Sequence, residues 1–550
     1  MWFAQHVDPS VPANIAQYVE LRGDLDVELL RRASSRAALE LQSGFVRITE
    51  IDAEPRQIVD PTLDDSLGLV DLRGENDPRA AALEWMHADY SAPIDILRDR
   101  LIAATVLRIE DDVWFWYERV HHVVLDGFGA VTFMNRAAEL YTSEVEGTEP
   151  TKNLASDLTK VYDIEMSYRD SSRFQADREY WASRIDGIDG VTTLAGHTAP
   201  PAPKSQIDST ALSADTMSSL DALRAETDTT MATIVIAAFA AYLAQMTGRE
   251  DVVLSLPVTA RTTAVLRRSG GMVSNVVPLR FDVSGDTTVE TMLARVNAEV
   301  SGALRHQRYR HEDIRRDAGG ASGQAAFFGP WVNIMLFFGE VRLGSMVGGI
   351  NILSTGLIED FGLNLYTSVA GATTHIDFES NPNLYGPDQS GRNHERFVDF
   401  LGRFVAAAPT DLVWDLALTD GSERALVVSE WNHTEHETTP STLLTAFEAA
   451  AAARPDATAL VYEGNVLTYG ELSARVNGLA RHLIDMGVGP ETLVGLSIRR
   501  SFDLVVGMYA IVAAGGAWVP IDPDHPAERT AYILDSAQPR CVLISSRDDV

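Results

Sequence analysis

The run Val113-Trp114-Phe115-Trp116-Tyr117-Glu118-Arg119-Val120-His121-His122-Val123-Val124-Leu125-Asp126-Gly127 decides the reading of this chain. Its first part is aromatic and β-branched, which predicts a buried or half-buried strand. Two histidines follow where the strand should end, and Asp126-Gly127 breaks the pattern. Phe128 to Tyr141 then reads as a helix, with Asp126 as its N-cap because a side-chain oxygen there accepts from free helix N–H groups. An imidazole is thereby set on a strand-to-helix turn, where side chains reach a cleft. Its unperturbed pKa suits proton transfer near neutral pH. Asp126 either fixes the ring or braces the loop, and Gly127 permits close backbone approach without a Cβ. Three readings of the local pattern stay open: a satisfied core histidine, acid–base chemistry, and part of a metal site.

Outward from that run, composition sets bounds. A chain of 550 residues predicts about two to four domain-sized units. Hydrophobic content of 45% and charged content of 22% are those of a globular protein with a large core. The net charge of −33 would repel a phosphate backbone, so no nucleic-acid partner is expected. Cys541 is the single cysteine, which excludes an intramolecular disulfide framework and a cysteine-based zinc cluster. Met1 to His6 lacks the basic and apolar regions of a secretory signal, and a cytoplasmic location is expected. Thr229 to Gly248 is membrane-length but carries threonines and Gln245, then runs into the strand-like Asp251 to Leu256. It reads as a buried core helix, and no membrane partner is expected. Leu504 to Ile521 is broken by Gly515-Gly516 and Pro520 and reads as helix, turn and strand.

Strands and helices alternate along the first half. Ile15–Leu21, Phe45–Ile48, Arg56–Val59 and Leu101–Ile109 read as strands, and Asp24–Leu41 and Pro78–Tyr90 as helices. Glu165–Trp181 reads as one charged helix, followed by a surface linker at Thr198–Pro203. The second half repeats the mixture, so the fold class is α/β or mixed α+β, with a sheet behind the His-His turn.

His121-His122-x-x-x-Asp126-Gly127 resembles the HHxxxDG signature of nonribosomal peptide synthetase condensation domains, members of the chloramphenicol acetyltransferase-like superfamily. Other stretches extend the resemblance. Trp2-Phe3-Ala4-Gln5 is similar to the tail of the family's opening motif, whose earlier residues are missing, so an incomplete first strand is expected. Gly271-Met272-Val273-Ser274-Asn275 resembles the GxFVN segment at its Gly and Asn only. His306-Gln307-Arg308-Tyr309 and Phe327-Phe328-Gly329-Pro330-Trp331-Val332-Asn333-Ile334 resemble further family segments, the second a strand facing the substrate tunnel. Glu430-Trp431-Asn432-His433-Thr434 is similar to the linker before adenylation domains. Leu467–Leu472 and Ala513–Asp522 resemble the first two adenylation motifs. The phosphate loop and lysine of that family would lie beyond Val550, and no ATP chemistry is assigned.

The resemblance implies two chloramphenicol acetyltransferase-like lobes in a V, at residues 1–180 and 181–420, a linker at 421–440 and a partial α/β adenylation subdomain at 441–550. It implies amide formation between a donor acyl thioester and the amine of an aminoacyl thioester. The partners implied are a donor carrier protein, an acceptor peptidyl carrier protein and the adenylation domain of the same synthetase. The cofactor implied is the phosphopantetheine arm of each carrier, with none bound by this chain and no metal. His122 is the group implied at the reacting centre, with His121, Asp126 and Gly127 completing the catalytic signature and Asn333 as a substrate contact. Arg261 is implied to bond Asp126 across the lobes. Exchanging that pair's charges together should then restore what either single change loses. Phe115–His122, His306–Tyr309 and Phe328–Pro330 look most like the first module of catecholate siderophore synthetases, which implies an aryl donor such as 2,3-dihydroxybenzoyl.

Rival expectations are a CoA-dependent acyltransferase, which would share a shorter HxxxD core, and a non-catalytic carrier-binding or recruitment domain, which would tend to lose the second histidine. An epimerase is disfavoured by the adenylation segment, a heterocyclase by the two histidines.

Overall fold

The computed structural model describes residues 5, 10–52, 54–63, 67–188, 190–318, 329–335, 339–367, 373–438 and 441–546. Trp2-Phe3-Ala4 and Phe327-Phe328 lie outside them. The chain divides into two compact units, Met1–Val427 and Val428–Val550.

The first part of the larger unit supplies β1 (Asn14–Arg22), the hairpin β2 (Val46–Ile51) and β3 (Glu54–Val59), β4 (Gly68–Asp71), β5 (Ile102–Arg108) and β6 (Val113–His121). Its second part supplies β7 (Gln206–Ala211), β8 (Asp251–Val258), β9 (Asn275–Asp282), β10 (Trp331–Met335), the hairpin β11 (Val341–Leu343) and β12 (Met346–Gly348), β13 (Ile350–Thr355), β14 (Phe361–Thr367) and β15 (Thr374–Ser380).

The first sheet runs β13-β1-β6-β5-β4, so the decisive run is its middle strand. Every residue of β6 except Arg119 is buried. Alternation explains this: Trp114 and Trp116 pack with Phe133 and Met134 of the helix Gly127–Glu146 and with Leu30 of the helix Val27–Leu41. Phe115 and Tyr117 pack on the other face against Ala82 and Met86 of the helix Pro78–Ser91. With helices on both faces, an antiparallel strand needs apolar groups throughout. β1 pairs with β6 over its whole length, from Asn14 opposite His121 to Arg22 opposite Val113. β4 is a strand the sequence reading missed.

The second sheet, β7-β15-β14-β10-β8-β9, is mixed. β10 is parallel to β14 and to β8. The uncharged stretch becomes the helix Met231–Thr247, capped by Thr230, with its middle wholly buried against the sheet. A helix apolar on every side belongs in a core. Among the described residues no single helix is long and apolar enough to cross a membrane.

Two local expectations need correcting. Glu165–Trp181 is two helices, Leu158–Arg169 and Ser172–Ile185, because Ser171 caps the second by accepting from the Phe174 N–H and interrupts the first. The two lobes are also not contiguous in sequence. Residues 341–355 return to the first sheet: Val341, Leu343 and Met346 enter its core, and β13 pairs antiparallel with β1, Ile15 opposite Thr355.

In the smaller unit, a hairpin of β16 (Thr458–Tyr462) and β17 (Asn465–Thr468) leads into the helix Tyr469–Asp485 through a Thr468/Glu471 capping box. β18 (Leu493–Ser497), β19 (Ala517–Pro520) and β20 (Val542–Ile544) form a parallel sheet in the order β19-β18-β20. Leu504–Ile521 is helix, turn and strand, with Gly515 at φ +84° in the turn.

Candidate active site

The end of β6 delivers two adjacent histidines into opposite surroundings. His121 is fully buried. Its Nδ1 accepts from the Val123 N–H at 3.1 Å and its Nε2 meets Gln5 Oε1 at 3.0 Å. Both ring nitrogens are thereby used to shape the turn, and burial drives the pKa down to about 3. His122 faces a cavity of about 960 Å3. Its Nε2 lies 3.2 Å from the Thr355 carbonyl, which can only accept, so the hydrogen sits on Nε2 and the bare lone pair on Nδ1. That Nδ1 is buried and has no hydrogen-bond partner among the described residues. Burial also lowers the His122 pKa, opposed by the Thr355 carbonyl and the Asp126 charge, so the ring is neutral at pH 7.

Asp126 does not touch either imidazole through a hydrogen bond; it braces the loop. Its Oδ1 accepts from Gly129 N–H at 2.9 Å as the helix N-cap, and from Arg261 at 2.9 Å. Its Oδ2 accepts from Arg261 at 2.7 Å, from Val273 N–H at 2.9 Å and from Ser274 N–H at 2.8 Å. Side-chain exposures of 1% and 2% make this a buried bidentate pair. Desolvation pushes the Asp126 pKa up, but the guanidinium and the two backbone donors outweigh it and hold the pKa low. Arg261 also lies over the Phe128 ring, 4.6 Å from its centroid. Its turn is strained: Ala260 sits at φ +49°, held there by Gln307 Oε1 accepting from its N–H at 2.9 Å. Because the carboxylate also serves three backbone donors, exchanging the two charges would point those N–H groups at a cation. The charge exchange that the sequence suggested as a rescue is thus not expected to work.

In the Gly271–Asn275 stretch the structure explains the Asn. Asn275 Nδ2 donates to the Gln307 and Tyr309 carbonyls at 3.0 and 2.7 Å, and its Oδ1 accepts from His311 N–H at 2.9 Å. His306–Tyr309 is structural around it: His306 bonds Asp177 at 2.7 Å and Tyr309 donates to Asp317 at 2.6 Å.

Gly127 lines the cavity, and a Cβ there would meet nothing within 4 Å. The close protein contact expected of it belongs to Gly129, where a Cβ would meet Leu125 Cδ1 at 2.3 Å and the Gly270 carbonyl at 3.2 Å. Asn333 also lines the cavity, with Trp331 from the same strand; its Nδ2 donates to Asn364 Oδ1 at 3.2 Å. Arg310, on the same wall, donates to the Val273 and Ser274 carbonyls at 3.0 and 3.1 Å. Sequence reasoning missed Gln5 as the His121 partner, and Thr355, which is 233 residues from His122. Among the described residues no group of three or more His, Cys, Asp or Glu is arranged to hold a metal ion.

Comparison with known proteins shows what the chain is similar to. The family model described as "Condensation domain" matches residues 1–427, and that described as "AMP-binding enzyme" matches residues 447–550. The chain is 32% identical over 545 residues to a dimodular nonribosomal peptide synthase of Bacillus subtilis (strain 168), covering 99% of this chain. It is 34% identical over 549 residues to an isonitrile lipopeptide synthase of Streptomyces coeruleorubidus, again over 99% of this chain. It is 30% identical over 560 residues to enterobactin synthase component F of Escherichia coli (strain K12), over 100% of this chain. It spans 23%, 37% and 42% of those relatives' lengths. Among solved structures, the first condensation domain of the calcium-dependent antibiotic synthetase, in complex with a substrate analogue, aligns with TM-score 0.71 and 30% identity over 76% of this chain and 97% of that one. A mutant starter condensation domain of rhizomide synthetase, in complex with C8-CoA and Leu-SNAC, aligns with TM-score 0.71 and 31% identity over 76% of this chain and 95% of that one.

Proposed function

The chain belongs to the condensation-domain family, and from that premise we propose that it joins a carrier-bound acyl thioester to the α-amine of a carrier-bound aminoacyl thioester. The amine nitrogen attacks the thioester carbon, the C–S bond breaks, the amide forms, and the amine proton ends on the departing phosphopantetheine thiol. The cavity would hold both reacting ends, and most of the rate would come from bringing two tethered substrates together. The observation that carries the reading is His122: a neutral ring lining the cavity at the end of β6. Such a group can accept the amine proton or stabilise the charged tetrahedral intermediate. His121 would shape the turn, and Asp126 with Arg261 would hold the loop against the second half of the chain. Gly127 would leave room for the substrates and Asn333 would contact them. The partners in this reading are a donor carrier, an acceptor peptidyl carrier and the adenylation domain of the same synthetase.

For the donor we favour an aryl group such as 2,3-dihydroxybenzoyl, on the segments Phe115–His122 and His306–Tyr309 and the similarity to an enterobactin synthase component. A C8 acyl donor is the competing reading, favoured by the similarity to a lipopeptide synthase and to a starter domain solved with C8-CoA. The test is the intact mass of a seryl-loaded acceptor carrier after incubation with an equimolar mixture of dihydroxybenzoyl- and C8-loaded donor carriers. Gain of the aryl mass is expected. Gain of the C8 mass alone would replace the aryl donor. No gain from either, with folded protein, would favour a recruitment domain.

A further inference from the structure

The site is linked to the second sheet by a string of polar side chains that the reaction chemistry does not use. Glu379 on β15 is fully buried. Its Oε2 accepts from Thr355 Oγ1 at 2.6 Å and from Asn364 Nδ2 at 3.2 Å, and its Oε1 accepts from Ser205 Oγ at 2.6 Å. Asn364 in turn accepts from Asn333 at the cavity wall. Thr355 is therefore a joint. Its backbone lies at the end of β13, opposite Ile15 in the first sheet, while its hydroxyl is tied to the second sheet. Its carbonyl is the one that accepts from His122 Nε2. The next residue, Gly356, has φ +117°, and a Cβ there would meet His122 Cδ2 at 2.9 Å. The backbone thus passes directly against the ring.

We propose that Glu379 is a positioning residue for His122, acting through Thr355: it fixes the Thr355 carbonyl that holds the hydrogen on Nε2 and leaves Nδ1 bare. As placed, the two Glu379 oxygens accept from three donors. Burial raises the Glu379 pKa, and the hydrogen bonds from Ser205, Thr355 and Asn364 offset only part of that rise. Glutamine can keep the key bonds, since its oxygen can receive Thr355 and Asn364 while the Ser205 hydroxyl turns to accept. Leucine cannot. Without Glu379 the Thr355 hydroxyl loses its partner, the strand end relaxes, and the ring is free to exchange tautomers. This inference rests on His122 working at the reacting centre.

The test uses the full chain with 15N-labelled histidine, the His122 signal being identified by its loss in His122→Gln. Wild type should show His122 protonated at Nε2 and bare at Nδ1. Glu379→Leu and Thr355→Val should each shift it to a tautomer mixture. Each should lower kcat about tenfold, a fraction of the roughly 10²–10⁴-fold that general-base help supplies, with KM for the donor carrier unchanged. Glu379→Gln should match wild type in both readouts. Thr355→Val leaves the buried carboxyl in place and serves if Glu379→Leu fails to fold. An unchanged ring signature and kcat in Thr355→Val would overturn the proposal. The ring signature needs no turnover, so it judges the positioning separately; His122→Ala turning over as fast as wild type would overturn the reading beneath it.

Discussion

Two connections leave the end of β6 for the second half of the chain, and they are built in opposite ways. At Asp126 a buried charge is met by a bidentate guanidinium and three backbone N–H groups. At His122, four residues earlier, one ring nitrogen has a single carbonyl partner and the other has none among the described residues. The first is saturated, so it can only hold. The second carries few bonds on a ring that lines the cavity, so it can act. A sequence signature that spells both residues together hides this division, and substitutions should separate it.

The largest effect is expected at the saturated end. Asp126→Ala leaves the Arg261 guanidinium buried without its carboxylate, at a cost of about 3–5 kcal/mol, together with three unsatisfied N–H groups. Urea denaturation should show the loss, and the charge-exchanged double variant should not recover it. Recovery would mean the backbone donors contribute little.

Next comes pH. The folded His121 pKa is depressed from 6.5 to about 3. Between those values the unfolded chain holds a proton that the native one lacks, so stability falls as pH falls, by about 1.4 kcal/mol per unit. Glu118 works the other way. Burial raises its pKa from 4.5 to about 8, and between those values the native chain holds the extra proton, so stability falls as pH rises. The two slopes oppose each other between pH 4.5 and 6.5. Glu118→Gln should expose the acid loss below pH 6.5, and His121→Asn the loss above pH 4.5, in denaturation curves taken across that range. Unchanged slopes in both variants would remove these two groups from the pH account.

The smallest effect separates two glycines two residues apart. Gly129→Ala forces a Cβ against Leu125 and should cost about 1–3 kcal/mol in denaturation midpoints. Gly127→Ala has open space within 4 Å and should leave stability within about 0.5 kcal/mol, while raising KM for the loaded carriers. Equal destabilisation by both would deny Gly127 its place on the open side of the turn.

What the sequence made legible was what short-range pattern encodes. The aromatic run gave β6, Asp126 gave the helix cap, and the uncharged stretch gave the buried helix Met231–Thr247. The Asp126–Arg261 contact was reached through a family resemblance, not through spacing, since 135 residues separate the pair. Thr355, Glu379 and Gly356 give no local sign of a role at His122: Thr355 and Gly356 reach the ring, and Glu379 reaches Thr355, only because β13 returns to pair with β1. The same crossover is why a lobe boundary at residue 180 cannot describe the first sheet completely. Gly127 and Gly129 were likewise indistinguishable without knowing which one faced Leu125.

The most direct test of this division of labour is to measure His122→Ala twice, for thermal stability and for single-turnover transfer between loaded carriers read by intact mass. The prediction is a stability change of about 1 kcal/mol, the worth of one hydrogen bond, with a transfer rate lowered about 10²-fold and a remainder sustained by proximity. A variant that transfers at the wild-type rate while unfolding several kcal/mol more easily would contradict it, and would make His122 part of the scaffold and not of the chemistry.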